Sequence, residues 1–95
     1  MHLQERLLRW KLETLPRLLQ LRGSLESAEG DLAAFSRRFG MVTQRRGKLR
    51  AVQQCFSEQA SSEEEYQHMQ PQEQGLHERV IALQAQVTEL EQSRL

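Results

Sequence analysis

Residues 18–42 read LLQLRGSLESAEGDLAAFSRRFGMV, and their apolar residues recur at alternating intervals of three and four. This spacing places the recurring residues on one face of an α-helix, at the a and d positions of a heptad repeat. Such a stripe is buried only against another helix, so the pattern predicts a chain that works by assembly. The stripe consists of Leu18, Leu21, Leu25, Ala28, Leu32, Phe35, Phe39 and Val42.

A second apolar stripe follows later in the chain, one residue out of phase with the first. A shift of one residue rotates a stripe by about 100° on an α-helix, so one straight helix cannot present both stripes to the same neighbour. We therefore predict a break near residues 57–65, which hold Ala60 as their one apolar residue and a capping-box pattern at Ser61 and Ser62. The second stripe consists of Tyr66, Met69, Leu76, Val80, Leu83, Val87 and Leu90.

The chain is predicted to be all-α, because no stretch alternates as a strand would. Pro16 and Pro71 interrupt the helical pattern, and Thr14 can cap a helix that restarts at Pro16. The predicted helices cover about 2–14, 16–57, 62–70 and 72–94 within one assembly module of residues 1–95. Glu29-Gly30-Asp31 either breaks the second helix or lies inside it. We expect an antiparallel helical hairpin or a three-helix bundle with coiled-coil heptads, or else an elongated coiled coil.

The N-terminal segment is a candidate docking helix, with Leu3, Leu7, Leu8 and Trp10 spread over more than half of its circumference. An apolar face this wide needs helical neighbours on two sides. The basic residues between these side chains allow an alternative, in which the helix lies on an anionic membrane. Residues 15–19 also fit the short LxxLL pattern of receptor-docking helices, which any leucine-rich helix can match by chance. We favour packing within a helical bundle.

Charge is segregated along a chain that is neutral overall. Residues 32–57 contain six basic and no acidic side chains, whereas residues 58–95 contain two basic and eight acidic ones. This segregation predicts that the basic segment pairs with the acidic one in an antiparallel arrangement, with residues 49–56 beside residues 76–83. Nucleic-acid binding is the alternative role of the basic face. The candidate charged face consists of Arg37, Arg38, Arg45, Arg46, Lys48 and Arg50.

Catalytic and metal-binding motifs are missing from the sequence. Cys55 is the only cysteine, and we expect it to be a small buried residue. Glu65 and His68 are spaced as one Glu-x-x-His pair, but di-iron bundles need two such pairs with further glutamates. We therefore expect no enzyme activity, no catalytic residue, no cofactor and no metal ion.

The sequence thus predicts a protein–protein interaction module that acts as a scaffold, adaptor or complex subunit. Its partner would be protein, either a second copy in a homo-oligomer or another helical subunit in a hetero-complex. No apolar run approaches the roughly 20 residues that cross a bilayer, and the charged N-terminus does not resemble a signal peptide, so we expect a cytoplasmic or nuclear protein. The predicted interface consists of Leu18, Leu21, Leu25, Leu32, Phe35, Phe39, Val42, Leu76, Val80, Leu83, Val87 and Leu90.

Overall fold

A computed structural model describes residues 2–52 and 55–93 of the chain. Within these ranges the chain forms three α-helices and no strand. They are α1 (His2–Glu13), α2 (Leu15–Arg50) and α3 (Phe56–Gln92). The predicted all-α class is confirmed, and α2 and α3 pack together as an antiparallel hairpin.

The boundary between α1 and α2 lies at Thr14. The Thr14 amide donates to the Trp10 carbonyl at 2.8 Å, and the Thr14 carbonyl accepts from the Leu18 amide at 2.9 Å. Thr14 therefore occupies the N-cap position of α2. Pro16 lies in the first turn of α2, where a missing amide hydrogen breaks no helical hydrogen bond. The predicted restart at Pro16 is thus present, one residue earlier than expected.

The predicted break near residues 57–65 is wrong, because this segment is helical and belongs to α3. The hairpin turn lies earlier, between Arg50 and Phe56. Cys55 ends the turn with a φ of 71°, and its carbonyl accepts the Gln59 amide at 3.0 Å. The phase shift between the two stripes does mark a break, but the polar residues that follow the turn continue the heptad of α3.

One interruption that the sequence left open and one that it predicted both lie inside helices. α2 continues through Gly30, so Glu29-Gly30-Asp31 is helical. α3 continues through Pro71, so the predicted helices 62–70 and 72–94 are one helix. Pro71 lacks the amide that would bond the Gln67 carbonyl, and its ring crowds that carbonyl; both residues are exposed, so water can replace the lost bond.

The described residues fall into two compact units. Unit 1 contains α1, α2 as far as Glu29, and α3 from Glu78 onwards, whereas unit 2 comprises Gly30–His77. In unit 1, Arg22 of α2 forms an ion pair with Glu91 of α3 at 2.6 Å.

Side-chain contacts in unit 2 define its register. Phe39 contacts Tyr66 and Arg46 contacts Glu63, so residue numbers fall along α3 as they rise along α2. The helices are therefore antiparallel. We expected residues 49–56 to lie beside residues 76–83, and this prediction is wrong. Because the turn is short, the last residues of α2 lie opposite the first residues of α3. Gln59 accordingly bonds to the end of α2.

Both stripes are covered in the folded chain, and each is longer than the apolar residues alone indicate. In α2 every heptad position from Thr14 to Leu49 is buried or half-buried, and in α3 the same holds from Gln59 to Leu90. Full burial is rare, because helices that pack in pairs cover each stripe from only one side. The buried apolar residues among those described are Leu18, Ala28, Phe35, Val80 and Val87.

Candidate interaction surfaces

The predicted interface residues all lie in the packed stripes of α2 and α3. Leu18, Phe35, Val80 and Val87 are buried, and the other eight are half-buried. Since the two helices pack together, each stripe is already covered by side chains of the same chain. The stripes therefore hold the hairpin together, and their predicted contact with another molecule stays a prediction, which the half-buried side chains leave room for.

A polar and aromatic cluster interrupts the apolar stripe in unit 2. The Arg46 guanidinium donates to both carboxylate oxygens of Glu63, at 2.5 and 3.0 Å, and lies 4.0 Å above the Tyr66 ring. The Tyr66 ring stacks on Phe39 with centroids 5.2 Å apart and planes inclined by 25°. Hydrogen bonds from Arg46, and then from Gln67, lower the pKa of the Glu63 carboxyl from 4.5 to about 2. The same bond to Glu63 raises the pKa of Arg46.

Arg46 makes the predicted kind of pair with the acidic segment, but it does so from the packed stripe and not from an exposed charged face. Its position continues the heptad of Phe39 and Val42, so the side chain points into the stripe and is half-buried there. A guanidinium that is partly withdrawn from water is stabilised by a paired carboxylate, which Glu63 supplies. A count of three- and four-residue intervals beyond Val42 would have identified Arg46.

The predicted second stripe also leaves out polar residues at heptad positions of α3, among them Gln59 and Ser62. The Gln59 side-chain amide donates to the carbonyls of Leu49 and Val52, at 2.7 and 2.5 Å, which satisfies acceptors at the end of α2. Ser62 is only 3% exposed, and its hydroxyl has no hydrogen-bond partner among the described residues. Counting backwards from Met69 and Tyr66 at the same heptad spacing reaches Ser62 and then Gln59.

The remaining residues of the predicted charged face are exposed on α2. They are Arg37, Arg38, Arg45, Lys48 and Arg50. Among the described residues, the ion pairs are Arg22–Glu91 and Arg46–Glu63, so none of these five cations has a carboxylate within ion-pair distance. The Arg38 guanidinium instead lies 5.4 Å from the centroid of the Phe35 ring.

The predicted docking helix α1 is covered on one side only. Trp10 is half-buried, and its indole donates to the Ser93 hydroxyl at 3.0 Å. Leu7 is also half-buried, whereas Leu3, at the start of the helix, is 80% exposed. Unit 1 therefore supplies a neighbour for the Trp10 side of α1.

The side of α1 opposite Trp10 carries apolar residues that unit 1 leaves uncovered. Leu8 and Leu12 follow each other after one helical turn, and both lie about 160° around the helix from Trp10. Leu8 is 58% exposed and Leu12 is 71% exposed. Leu19, in the second turn of α2, is exposed as well. We call Leu8 and Leu12 the α1 leucine surface.

An open groove of about 540 Å³ lies beside Trp10 in unit 1. Its lining mixes two arginines, two leucines, the Trp10 indole, one carboxylate and two hydroxyl groups. The lining residues are Leu3, Arg6, Leu7, Arg9, Trp10, Glu13, Thr14 and Ser93.

The described part of the chain contains no cluster of His, Cys, Asp and Glu that could hold a metal ion. Glu65 and His68 are both exposed on α3. Cys55, predicted to be buried, is exposed because it lies in the hairpin turn instead of inside a helix. None of the described helices combines the length and the apolar composition that a membrane span requires.

Comparison with protein-family models, with curated proteins and with solved structures finds no match to this chain.

Proposed function

We propose that this chain is a protein–protein interaction module, which acts by binding and not by catalysis. It serves as a scaffold, adaptor or subunit of a helical complex in the cytoplasm or nucleus. The α1 leucine surface is the observation that supports the proposal. The stripes of α2 and α3 stabilise the hairpin, and α1 presents the leucines that contact a helix of the partner.

The energetics favour this role for α1. An isolated helix of this length is marginal in water, so the exposed side of α1 gains stability when a second helix covers it. Burying one leucine contributes about 1.5–3 kcal/mol relative to leaving it in water. Leu8 and Leu12 lie one turn apart, which is the spacing at which two knobs enter the groove of a facing helix.

The experiment compares Leu8→Gln/Leu12→Gln with Glu5→Gln/Lys11→Gln. Both variants place two glutamines on exposed positions of α1, but only the first removes the leucine surface. Light scattering at increasing concentration detects a second copy as partner, and retention of proteins from cell extract on the immobilised chain detects another subunit.

The proposal predicts an oligomer or a retained protein that is lost with the leucine variant and kept with the control variant. Circular dichroism and Trp10 fluorescence should be the same for both variants, because Trp10 packs on the opposite side of α1. If every association survives removal of both leucines, the proposal is wrong.

Nucleic-acid binding through the basic face is the second candidate, because Arg37, Arg38, Arg45 and Lys48 are exposed without a carboxylate partner. Binding that uses phosphate contacts weakens steeply as salt rises, with a slope of about −0.9 per phosphate neutralised on duplex DNA. Gel shifts with duplex DNA and single-stranded RNA at two salt concentrations test this candidate. Unaltered migration in the presence of excess protein would remove it.

A further inference from the structure

A second heptad-spaced stripe runs along α2, outside the packed one. Ala34, Arg38, Met41, Arg45 and Lys48 follow each other at intervals of four and three residues, and all are exposed. They lie on one face of the helix, which extends for about 21 Å between the first and the last. We call these five residues the outer stripe of α2. Met41, at its centre, is 71% exposed.

The cations of the outer stripe are not neutralised within unit 2. Residues 30–77 contain six basic and six acidic side chains, yet the ion pair described in this unit is Arg46–Glu63 alone. Arg38 and Arg45 are two helical turns apart, which corresponds to about 10.5 Å along the axis. The stripe thus presents cations at heptad spacing around an apolar centre.

We propose that the outer stripe binds an acidic amphipathic helix of a partner protein. The partner helix presents carboxylates at seven-residue spacing to Arg38 and Arg45, and apolar side chains to Met41 and Ala34. The proposal goes beyond the function assigned to the α1 leucine surface and does not depend on it, since the two surfaces lie in different units.

The surroundings of the stripe favour a helix over a nucleic acid. Arg38 and Arg45 each come directly before a residue at heptad position a of α2, so they occupy position g. Glu58 and Glu65 occupy position g of α3 in the same way. These g positions border the same side of an antiparallel helix pair, so two exposed carboxylates lie on the side of the pair that carries the cations, beyond ion-pair distance from them. A nucleic acid is anionic on every side and is repelled by them. A helix can direct glutamates to α2 and neutral residues to α3.

The test uses a designed probe peptide of about three heptads, with leucines on one face and glutamates at seven-residue spacing beside them. A peptide with glutamine in place of glutamate is the control, and duplex DNA is the third probe. Binding to the full chain is measured by fluorescence anisotropy at low and high salt. The variants are Arg38→Glu/Arg45→Glu, Met41→Ser, and the control Arg9→Glu/Arg17→Glu, which reverses two exposed arginines in unit 1.

We expect the acidic peptide to bind the chain and its control variant equally well. Affinity should fall roughly tenfold with Arg38→Glu/Arg45→Glu, because two attractive pairs become repulsive. It should also fall with Met41→Ser and with rising salt, and it should survive Leu8→Gln/Leu12→Gln. Equal binding of the glutamine peptide, tighter binding of DNA, or no difference between the two arginine variants would overturn the proposal. Circular dichroism confirms that each variant is folded.

Discussion

The contact between Phe39 and Tyr66 allows a direct energetic test of how α2 and α3 pair. The two rings come from different helices of unit 2 and stack with centroids 5.2 Å apart. Aromatic pairs of this geometry contribute about 0.5–1.5 kcal/mol beyond the area that they bury. Phe39→Leu and Tyr66→Leu each remove the ring pair and keep an apolar side chain at the position.

The two single substitutions should not cost the same. Phe39→Leu removes the ring pair and some buried area, so we expect a loss of about 1–2 kcal/mol in the free energy of unfolding. Tyr66→Leu also removes the ring beneath the Arg46 guanidinium, which lies 4.0 Å from its centroid. A cation over an aromatic face contributes about 0.5–1 kcal/mol at an exposed site, so Tyr66→Leu should cost more by that amount.

The double-mutant cycle isolates the ring pair. Urea unfolding, followed by circular dichroism, gives the free energy of unfolding for the wild type, both single variants and the double variant. We expect a coupling energy of about 0.5–1.5 kcal/mol between the two substitutions. A control cycle combines Tyr66→Leu with Leu90→Ala, whose site lies in unit 1, and should be additive within about 0.5 kcal/mol. Additivity in the Phe39–Tyr66 cycle would show that the rings do not meet, and the register of unit 2 would be refuted.

Three further changes test single contacts. Leu18 is 1% exposed, so Leu18→Ala should lower the free energy of unfolding by about 2–5 kcal/mol, as read from thermal or urea melting; an unchanged melting temperature would contradict its burial. The Glu63 pKa is lowered from 4.5 to about 2, so its stabilising bond to Arg46 is fully present above pH 4.5 and is lost as the pH falls through about 2. Glu63→Gln should therefore reduce the acid sensitivity of unfolding, and an identical pH profile would argue against this bond. Gln59→Ala leaves the Leu49 carbonyl without its side-chain donor and should cost about 1 kcal/mol, with faster amide hydrogen exchange around the turn; unchanged exchange there would exclude a capping role.

The first stripe was sufficient to predict both the class of the fold and the residues that are buried in α2. From Leu18 to Val42 every a and d position is apolar, and a side-chain period of this kind has no other packed solution. The displacement of the second stripe by one residue likewise required a turn. These features depend on local spacing, which a sequence displays directly.

The position of the turn could not be read from hydrophobicity. Gln59 and Ser62 continue the heptad of α3 with polar side chains, so residues 57–65 resembled a linker although they are helical. The structure uses Gln59 to close the end of α2, a role that depends on where Leu49 and Val52 lie in space. Whether a polar residue at a heptad position marks a break or a cap is decided by its partner, and the sequence alone does not identify that partner.

The charged segment shows a similar limit. Residues 32–57 contain six basic and no acidic side chains, a pattern that indicates one charged surface. The heptad instead directs Arg46 into the packed stripe and leaves Arg38 and Arg45 outside it. The division follows from helix geometry, so the sequence contained the information. The partner of Arg46 depends on the register between α2 and α3. The predicted register, with residues 49–56 beside residues 76–83, is wrong and does not bring Arg46 to Glu63.

In the hairpin, α2 and α3 of one chain pack antiparallel, with Phe39 beside Tyr66. Nuclear Overhauser spectroscopy detects this contact when uniformly labelled protein is compared with an equimolar mixture of labelled and unlabelled chains. We predict cross-peaks between the ring protons of Phe39 and Tyr66 in the labelled protein, and none in the spectrum filtered for contacts between labelled and unlabelled chains. Absence of these cross-peaks, or their appearance only between chains, would contradict the intramolecular hairpin.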